Sequence, residues 1–135
     1  MSELYLEIIS PSRQVFSGEI KSITVPGSKG RFQVLKNHAP IISTFEIGLI
    51  KVDLPDKLKY FATAGGTIEV LDNKILVLAD SIESSEEIDL DRALKAKERA
   101  EKRLAEKSPD TDVERAQTAL VRALNRIKIK ETYIG

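Results

Sequence analysis

The sequence has no cysteine and no tryptophan, and His38 is its single histidine. Without cysteine the chain has no disulfide bond, no thiolate metal ligand and no thiol nucleophile. One histidine is too few for a multi-histidine metal site, and the carboxylates match no nucleotide-hydrolysis motif. We therefore expect no metal site, no catalytic residue and no enzymatic activity in the isolated chain.

Long apolar runs are missing as well, since each run is only a few residues long. A membrane-spanning helix needs about 20 apolar residues, so we expect no direct membrane insertion and no role in carrying protons across a bilayer. The first residues, Met1 to Glu3, are acidic and lack the apolar segment of a signal peptide. Export is therefore not expected.

Charge is balanced overall but unevenly distributed along the chain. Residues 1–87 contain nine basic and twelve acidic side chains, whereas residues 88–135 contain twelve basic and nine acidic ones. An acidic part followed by a basic part indicates two modules with different partners. Neither part is strongly basic, and aromatic residues make up only 5% of the chain, which argues against nucleic-acid binding.

The first module, residues 1–86, has the two-residue hydrophobic period of short strands separated by glycine, proline and asparagine. This pattern predicts an antiparallel β-sandwich or barrel. Asp72 and Asn73 mark a tight turn, and Gly65 with Gly66 a bulge or turn. The glycine-rich segment 27–30 lacks the spacing of a phosphate-binding loop and predicts a hairpin turn. The predicted strands are 4–9, 20–25, 32–34, 49–52, 58–64, 67–71 and 74–79.

The second module, residues 87–135, is rich in Ala, Leu, Glu, Lys and Arg, which is the composition of exposed helices. Asp89 is the predicted N-cap of a first helix. The Ser-Pro-Asp segment 108–110 ends this helix, and Thr111 with Glu114 matches a capping box that begins a second one. A break this short predicts two antiparallel neighbours. The predicted fold class is therefore α+β, a β-sandwich or barrel followed by an α-helical hairpin.

An internal repeat runs through both predicted helices. Each helix carries three arginines at steps of 0, +7 and +11 residues, and each arginine is followed directly by Ala, Leu or Ile. These steps return to one helical face, since each residue turns the helix by about 100°. Each helix should therefore have a small apolar seam beside a stripe of arginines. The pairs are Arg92-Ala93, Arg99-Ala100 and Arg103-Leu104, then Arg115-Ala116, Arg122-Ala123 and Arg126-Ile127.

Antiparallel packing of the two helices brings all six arginines to one side, along about 16 Å. This pattern has two interpretations, a solvated basic surface or a site for a polyanion, either nucleotide phosphates or an acidic protein. Arginine suits both anions because its planar fork pairs bidentately with phosphate and carboxylate. The seam is mostly alanine and buries little apolar area, so we predict that the hairpin can open.

Several short segments follow one another in a characteristic order. They are Gly-Ser-Lys-Gly at 27–30, Asn-His-Ala-Pro at 37–40, Ala-Gly-Gly at 64–66 with Ile-Glu-Val at 68–70, Val-Leu-Ala-Asp at 77–80, and Glu-Ile-Asp-Leu-Asp-Arg-Ala at 87–93. In this order and spacing the chain resembles the epsilon subunit of bacterial and chloroplast F-type ATP synthases. The resemblance covers essentially the whole chain.

This resemblance implies a non-catalytic regulatory subunit of the central rotor. The sandwich would bind the gamma subunit and the rotor c-ring, and the extended hairpin would reach the alpha/beta catalytic hexamer and inhibit ATP hydrolysis. The chain would lie at the periphery of the energy-transducing membrane, on its cytoplasmic or stromal face. Arg31 stands where family members often have an acidic or small residue. The candidates for partner contacts are Arg31, His38, Arg103 and Arg115.

Some members of this family bind ATP on the folded hairpin through an Ile/Leu-Asp-x-x-Arg-Ala motif. The residues that match it are Ile88, Asp89, Arg92 and Ala93. The resemblance implies that these four residues, together with Glu83, contact the base and ribose. The arginines that would face the phosphates are Arg99, Arg122 and Arg126. ATP would then be a regulatory ligand, and no obligatory cofactor is expected.

Two other functions stay open on the sequence alone. One is a purely structural rotor connector whose hairpin does not sense nucleotide, for which removing the arginines would leave ATP-dependent stability unchanged. The other is an unrelated β-sandwich adaptor that binds nucleic acid through its basic hairpin. Steep salt dependence of DNA binding would reveal this second function.

Overall fold

The computed structural model describes residues 3–106 and 108–133, and the chain divides into two units, one ending at Ser84 and the other beginning at Ser85. In the described residues the first unit contains strands and the second contains helices. The strands are β1 (Tyr5–Ile9), β2 (Gln14–Glu19), β3 (Ser22–Val25), β4 (Phe32–Leu35), β5 (Ile41–Asp53), β6 (Leu58–Leu71), β7 (Lys74–Ala79) and β8 (Ile82–Ser84). The helices are α1 (Leu90–Glu106) and α2 (Val113–Thr132). The predicted α+β fold class, a β-sandwich followed by a helical hairpin, is confirmed.

The sandwich is one continuous sheet that bends into two layers. Its strands follow the order β2-β1-β7-β6-β5-β3-β4, with β8 against β6. Neighbouring strands are antiparallel, as predicted, except that β1 and β7 run parallel. β6 changes its partner along its length: its residues 61–63 pair with β8, whereas its residues from Gly66 onward pair with β7.

Alternate residues of the strands form the apolar core of the first unit. Leu6 and Ile8 of β1 are fully buried, whereas Tyr5 between Leu4 and Leu6 is 42% exposed. β-Branched and aromatic side chains favour such a pleated, half-buried surface. The largest fully buried side chains are Phe61, Leu4, Leu6, Ile8, Ile23, Ile50, Ile68, Val25, Val34, Val52, Val70 and Val77.

The periodicity did not predict β2, β8 or most of β5. β2 is an edge strand without a fully buried residue, so it lacks the alternation that marks a strand with one face in the core. β8 has three residues, too few for a periodic signal. β5 begins at Ile41, although the period predicts only residues 49–52, and Ile42 near its start is 78% exposed.

The two predicted turns of the first unit are present. Asp72 and Asn73 have φ angles of 50° and 63° and form the two-residue turn between β6 and β7, as expected for a tight hairpin. The segment 27–30 connects β3 to β4, and the backbone N–H of Gly30 donates to the carbonyl of Gly27 at 3.0 Å. This segment is a hairpin turn and not a phosphate loop.

Gly65 and Gly66 do not end a strand, so a turn at this position was the wrong alternative. β6 continues through both residues, which have φ angles of 113° and 158°. They bend the strand at the point where it changes partner from β8 to β7. A Cβ atom on Gly66 would lie 2.1 Å from the carbonyl oxygen of Leu78 and 2.9 Å from the Cα of Ala79. The close approach of the β7 backbone therefore requires glycine here.

Gly66→Ala is expected to lower the free energy of unfolding by about 3 kcal/mol or more, because the added methyl group meets backbone atoms that cannot rotate away. Urea unfolding followed by circular dichroism measures this change. Gly18→Ala is the matched control, since its Cβ would meet only the ring of Phe16, at 3.5 Å. If both variants unfold at the same urea concentration, the strand does not depend on this contact.

The hairpin helices begin at acidic caps. Oδ1 of Asp89 accepts a hydrogen bond from the backbone N–H of Arg92 at 3.1 Å, which confirms the predicted cap of α1. The N-cap of α2 is Asp112, whose Oδ1 accepts from the N–H three residues later at 3.0 Å. The predicted capping box at Thr111 is therefore wrong by one residue. The N–H of Thr111 instead donates to the carbonyl of Ser108 at 3.0 Å, so Thr111 belongs to the turn.

Candidate functional site

The contact between α1 and α2 is formed by small apolar side chains. Four alanines of the predicted seam are each at most 3% exposed: Ala93, Ala100, Ala116 and Ala123. Leu104 and Ile127, which complete the repeat, are half-buried. The predicted seam is therefore present. Because alanine has little apolar surface to bury, the closed hairpin gains only about a few kcal/mol from this seam.

An arginine directly precedes every apolar residue of the seam. Helical geometry puts it about 100° from the seam. Since the helices are antiparallel and face each other through their alanines, the arginines of both helices project to the same side of the pair. Five of them are exposed and Arg126 is half-buried. We refer to this surface as the arginine face; its members are Arg92, Arg99, Arg103, Arg115, Arg122 and Arg126.

At the base of the hairpin, where α1 begins and α2 ends, the structure brings together the four residues of the sequence motif. Ile88, Asp89, Arg92 and Ala93 lie within two turns of chain, with Ile88 and Ala93 buried. The carboxylate of Asp89 caps α1, where the positive end of the helix dipole stabilises its negative charge. Asp89 therefore has a structural role that does not depend on a ligand.

One contact at this base was not anticipated from the sequence. The ammonium group of Lys130, in the last turn of α2, donates hydrogen bonds to the carbonyl oxygens of Ser85 at 3.1 Å and Glu86 at 3.3 Å. Periodicity gives no signal for it, because the acceptors are backbone atoms 44 and 45 residues away. A basic residue at the C-terminal end of a helix is usually explained by the dipole alone.

The tip of the hairpin contains the remaining pair of the arginine face. Arg103 and Arg115 line an open pocket of about 490 Å³ together with Asp110, Asp112 and Glu106. The walls of this pocket thus carry both charge signs. The assignment of Arg103 and Arg115 as partner contacts stays a prediction.

Glu83 lies in the first unit and not in the hairpin. It is half-buried in β8, in register with Ala62 of β6. Strand pairing therefore positions Glu83, whereas helix packing positions the other residues of the predicted site. Its assignment as a nucleotide contact stays a prediction.

The two other candidate contact residues lie in loops of the sandwich. Nη1 of Arg31 donates to the carbonyl oxygen of Leu49 at 3.3 Å, so this guanidinium group is held by its own unit. The backbone N–H of His38 donates to Leu35 at 3.2 Å, and its Nδ1 is 2.6 Å from the carbonyl oxygen of Ala39. His38 is therefore a turn residue. Whether Arg31 and His38 also contact a partner stays a prediction.

In residues 3–106 and 108–133, no cluster of three or more histidine, aspartate or glutamate side chains is arranged to hold a metal ion. Neither of the two described helices has the length and apolar character required to cross a membrane.

The fold and the hairpin define a class of two-part chains in which a β-sandwich carries a helical hairpin with one basic side. Residues 3–85 match the family described as ATP synthase, Delta/Epsilon chain, beta-sandwich domain. Residues 86–131 match the ATP synthase, Delta/Epsilon chain, long alpha-helix domain. The chain is 48% identical to the ATP synthase epsilon chain of Desulfitobacterium hafniense over 122 residues, which cover 90% of this chain and 92% of that one. The chain belongs to the family of ATP synthase epsilon chains, and the resemblance seen in the sequence is confirmed.

Solved structures support the same fold at low sequence identity. A chain in the mitochondrial ATP synthase of Euglena gracilis, in an OSCP/F1/c-ring assembly, superposes with a TM-score of 0.79 at 19% identity, covering 91% of this chain and 78% of that chain. A chain in the central stalk and c-ring of the Tetrahymena thermophila enzyme gives a TM-score of 0.67 at 11% identity, covering 96% and 97%. Each superposition covers more than nine tenths of this chain and therefore includes residues of both units.

Proposed function

We propose that this chain is a non-catalytic, regulatory subunit of the central rotor of an F-type ATP synthase. Its membership of the epsilon chain family supports this proposal, and a neighbour in fold comes from a central stalk and c-ring. The sandwich binds the gamma subunit and the rotor c-ring. The open hairpin meets the alpha/beta catalytic hexamer and inhibits ATP hydrolysis. The chain works at the periphery of the energy-transducing membrane, on the cytoplasmic or stromal face.

The hairpin also has a second role in this proposal: while it is closed, it binds ATP as an effector. The observation that carries it is the order of residues in the seam: an arginine precedes each buried alanine. Guanidinium groups from two helices then lie on one side, where a bound anion reduces the repulsion between their positive charges. A triphosphate suits this arrangement because each guanidinium can donate two parallel hydrogen bonds to phosphate oxygens.

The site has two regions in this proposal. The base and ribose of ATP contact the beginning of α1, where Ile88 and Ala93 offer apolar surface and Asp89 and Arg92 offer polar groups. The triphosphate lies farther along the arginine face, against Arg99, Arg122 and Arg126. Arg126 joins the two regions, since the end of α2 is beside the beginning of α1 in an antiparallel pair.

ATP regulates the hairpin because the site exists only when the helices are packed together. A ligand shifts a two-state equilibrium only through its different affinity for the two states. Opening separates the arginines of α1 from those of α2, so the open form binds ATP weakly. ATP therefore favours the closed form and relieves inhibition, and the same arginines are released toward acidic surfaces of the catalytic subunits when ATP is scarce.

Calorimetric titration of the isolated chain tests the effector proposal. We expect one ATP to bind per chain and ADP to bind more weakly, because ADP has one phosphate fewer for the arginine face. The titrations are run with and without magnesium, since the metal competes with arginine for phosphate oxygens. If neither nucleotide gives a binding heat and hydrogen exchange of the hairpin is the same with and without ATP, the chain is a structural rotor connector that does not sense nucleotide.

A further inference from the structure

Lys130 ties the end of α2 to the segment that precedes α1. Its ammonium group donates to two successive carbonyls, those of Ser85 and Glu86, at 3.1 and 3.3 Å. Ser85 is 4% exposed and Lys130 is half-buried. Hydrogen bonds from an ionised donor are roughly twice as strong as neutral ones, and partial burial protects them from competition with water.

The acceptors of these bonds are close in sequence to the nucleotide motif. Ile88 and Asp89 follow Glu86 by two and three residues. On the other side of the contact, Arg126 lies one helical turn before Lys130. The two hydrogen bonds of Lys130 therefore link the segment that carries the motif to the turn that carries Arg126.

We propose that Lys130 is a positioning residue that holds the base of the hairpin closed and sets the distance between the α1 motif and Arg126. Separation of α2 from residues 85–86 breaks both hydrogen bonds, so the contact favours the closed hairpin even without a ligand. Through the same link Lys130 raises the affinity for ATP without touching it. This second consequence rests on the proposed nucleotide site, whereas the first does not.

Hydrogen exchange of the nucleotide-free chain tests the closing role of Lys130. Lys130→Met keeps the apolar stem and removes the donors, and we expect the amides of residues 86–93 and 122–131 to exchange about tenfold faster, because two charge-assisted bonds are lost. Lys128→Met removes the same charge from an exposed position of the same helix and should change exchange less than about twofold. Lysine and arginine at position 130 carry charged donors, glutamine carries a neutral donor and methionine carries none, so exchange should quicken from lysine and arginine to glutamine to methionine.

ATP titration of the same variants tests the positioning role. Lys130→Met should weaken ATP binding about tenfold, Lys130→Arg should restore most of the affinity, and Lys128→Met should bind like the unmodified chain. If Lys130→Met and Lys128→Met exchange equally fast, Lys130 does not hold the hairpin closed and the inference is overturned, whatever ATP does. If the unmodified chain does not bind ATP while the exchange order holds, the nucleotide proposal fails and the closing role of Lys130 stands.

The set of variants at position 130 stays informative even if one of them does not form its helices. If Lys130→Met loses its helical circular dichroism signal, the glutamine and arginine variants still test whether hydrogen bonds from position 130 hold the hairpin closed. Faster exchange in Lys130→Gln than in Lys130→Arg supports the contact. Equal exchange in these two variants and the unmodified chain contradicts it.

Discussion

Replacing Arg122 and Arg126 together by alanine is expected to lower the affinity of the chain for ATP by about 100-fold or more. Each residue supplies a charged hydrogen-bond donor to phosphate in the proposed site, and such bonds contribute about 1.5–3 kcal/mol. Since about 1.4 kcal/mol corresponds to a factor of ten in affinity, two lost contacts give at least this change. Calorimetric titration with ATP measures it directly, provided that the helical circular dichroism of the variant is unchanged.

A charge-matched control separates a specific site from a diffuse basic surface. Lys97→Ala with Lys128→Ala also removes two positive charges, one from each helix, at positions about 120–160° around the helix from the neighbouring arginines of the arginine face. We expect this control to bind ATP within about twofold of the unmodified chain, because charges on the far side of the helices are screened from the phosphates by salt. Equal weakening in both double variants would mean that the arginine face is only a solvated basic surface.

The tip of the hairpin provides a second comparison for the same experiment. Arg103→Ala with Arg115→Ala removes the two arginines that line the pocket with Asp110, Asp112 and Glu106. These arginines are outside the proposed phosphate contacts, so the loss of ATP affinity should be smaller than for Arg122 and Arg126. A larger loss of ATP affinity would indicate that the phosphates bind at the tip of the hairpin.

Ala100→Leu is expected to open the hairpin and to increase inhibition of ATP hydrolysis in the assembled enzyme. Ala100 is 3% exposed in the seam, and three added carbon atoms would overpack it at a cost of about 1–3 kcal/mol. The alanine seam contributes only about a few kcal/mol to closure, so this cost moves most chains toward the open form. Hydrogen exchange of α1 and α2 should quicken about tenfold, and ATP should relieve inhibition less effectively.

The matched control for this variant is Ala105→Leu, which makes the same change at an exposed position of α1. It should leave both hydrogen exchange and inhibition nearly unchanged, because the larger side chain extends into solvent. Equal exchange in the two variants would show that the alanine seam does not govern closure. Faster exchange in Ala100→Leu without a change in hydrolysis would separate opening from inhibition and contradict the regulatory proposal.

Much of the hairpin could be predicted from the sequence because its determinants are local. The alanine seam follows from the spacing of Ala93 and Ala100, and the cap at Asp89 follows from a carboxylate placed just before a helical period. The same reasoning was wrong by one residue at the second cap. Two residues with capping side chains, Thr111 and Asp112, stand next to each other there, and the turn that uses the N–H of Thr111 leaves Asp112 to cap α2.

The sandwich was predicted less completely because its signal depends on burial. Strands with one face in the core show alternation, as in β1 and β7, whereas the edge strand β2 does not. The bend of β6 at Gly65 and Gly66 depends on the backbone of β7, which approaches within 2.1 Å of where a Cβ would lie. Two glycines in a row are compatible with a bulge, a turn or a bend, so the sequence pattern alone does not choose among them.

Residue order along the chain determines the two modules, the alanine seam and the arginine stripe beside it, because each depends on interactions within a few residues or on a constant helical angle. Two features depend on atoms that are distant in sequence: the change of partner by β6 and the hydrogen bonds of Lys130 to Ser85 and Glu86. Their acceptors are backbone groups, which every residue carries. No side-chain pattern distinguishes such partners, and they are known only once folding has brought the strands and helices together.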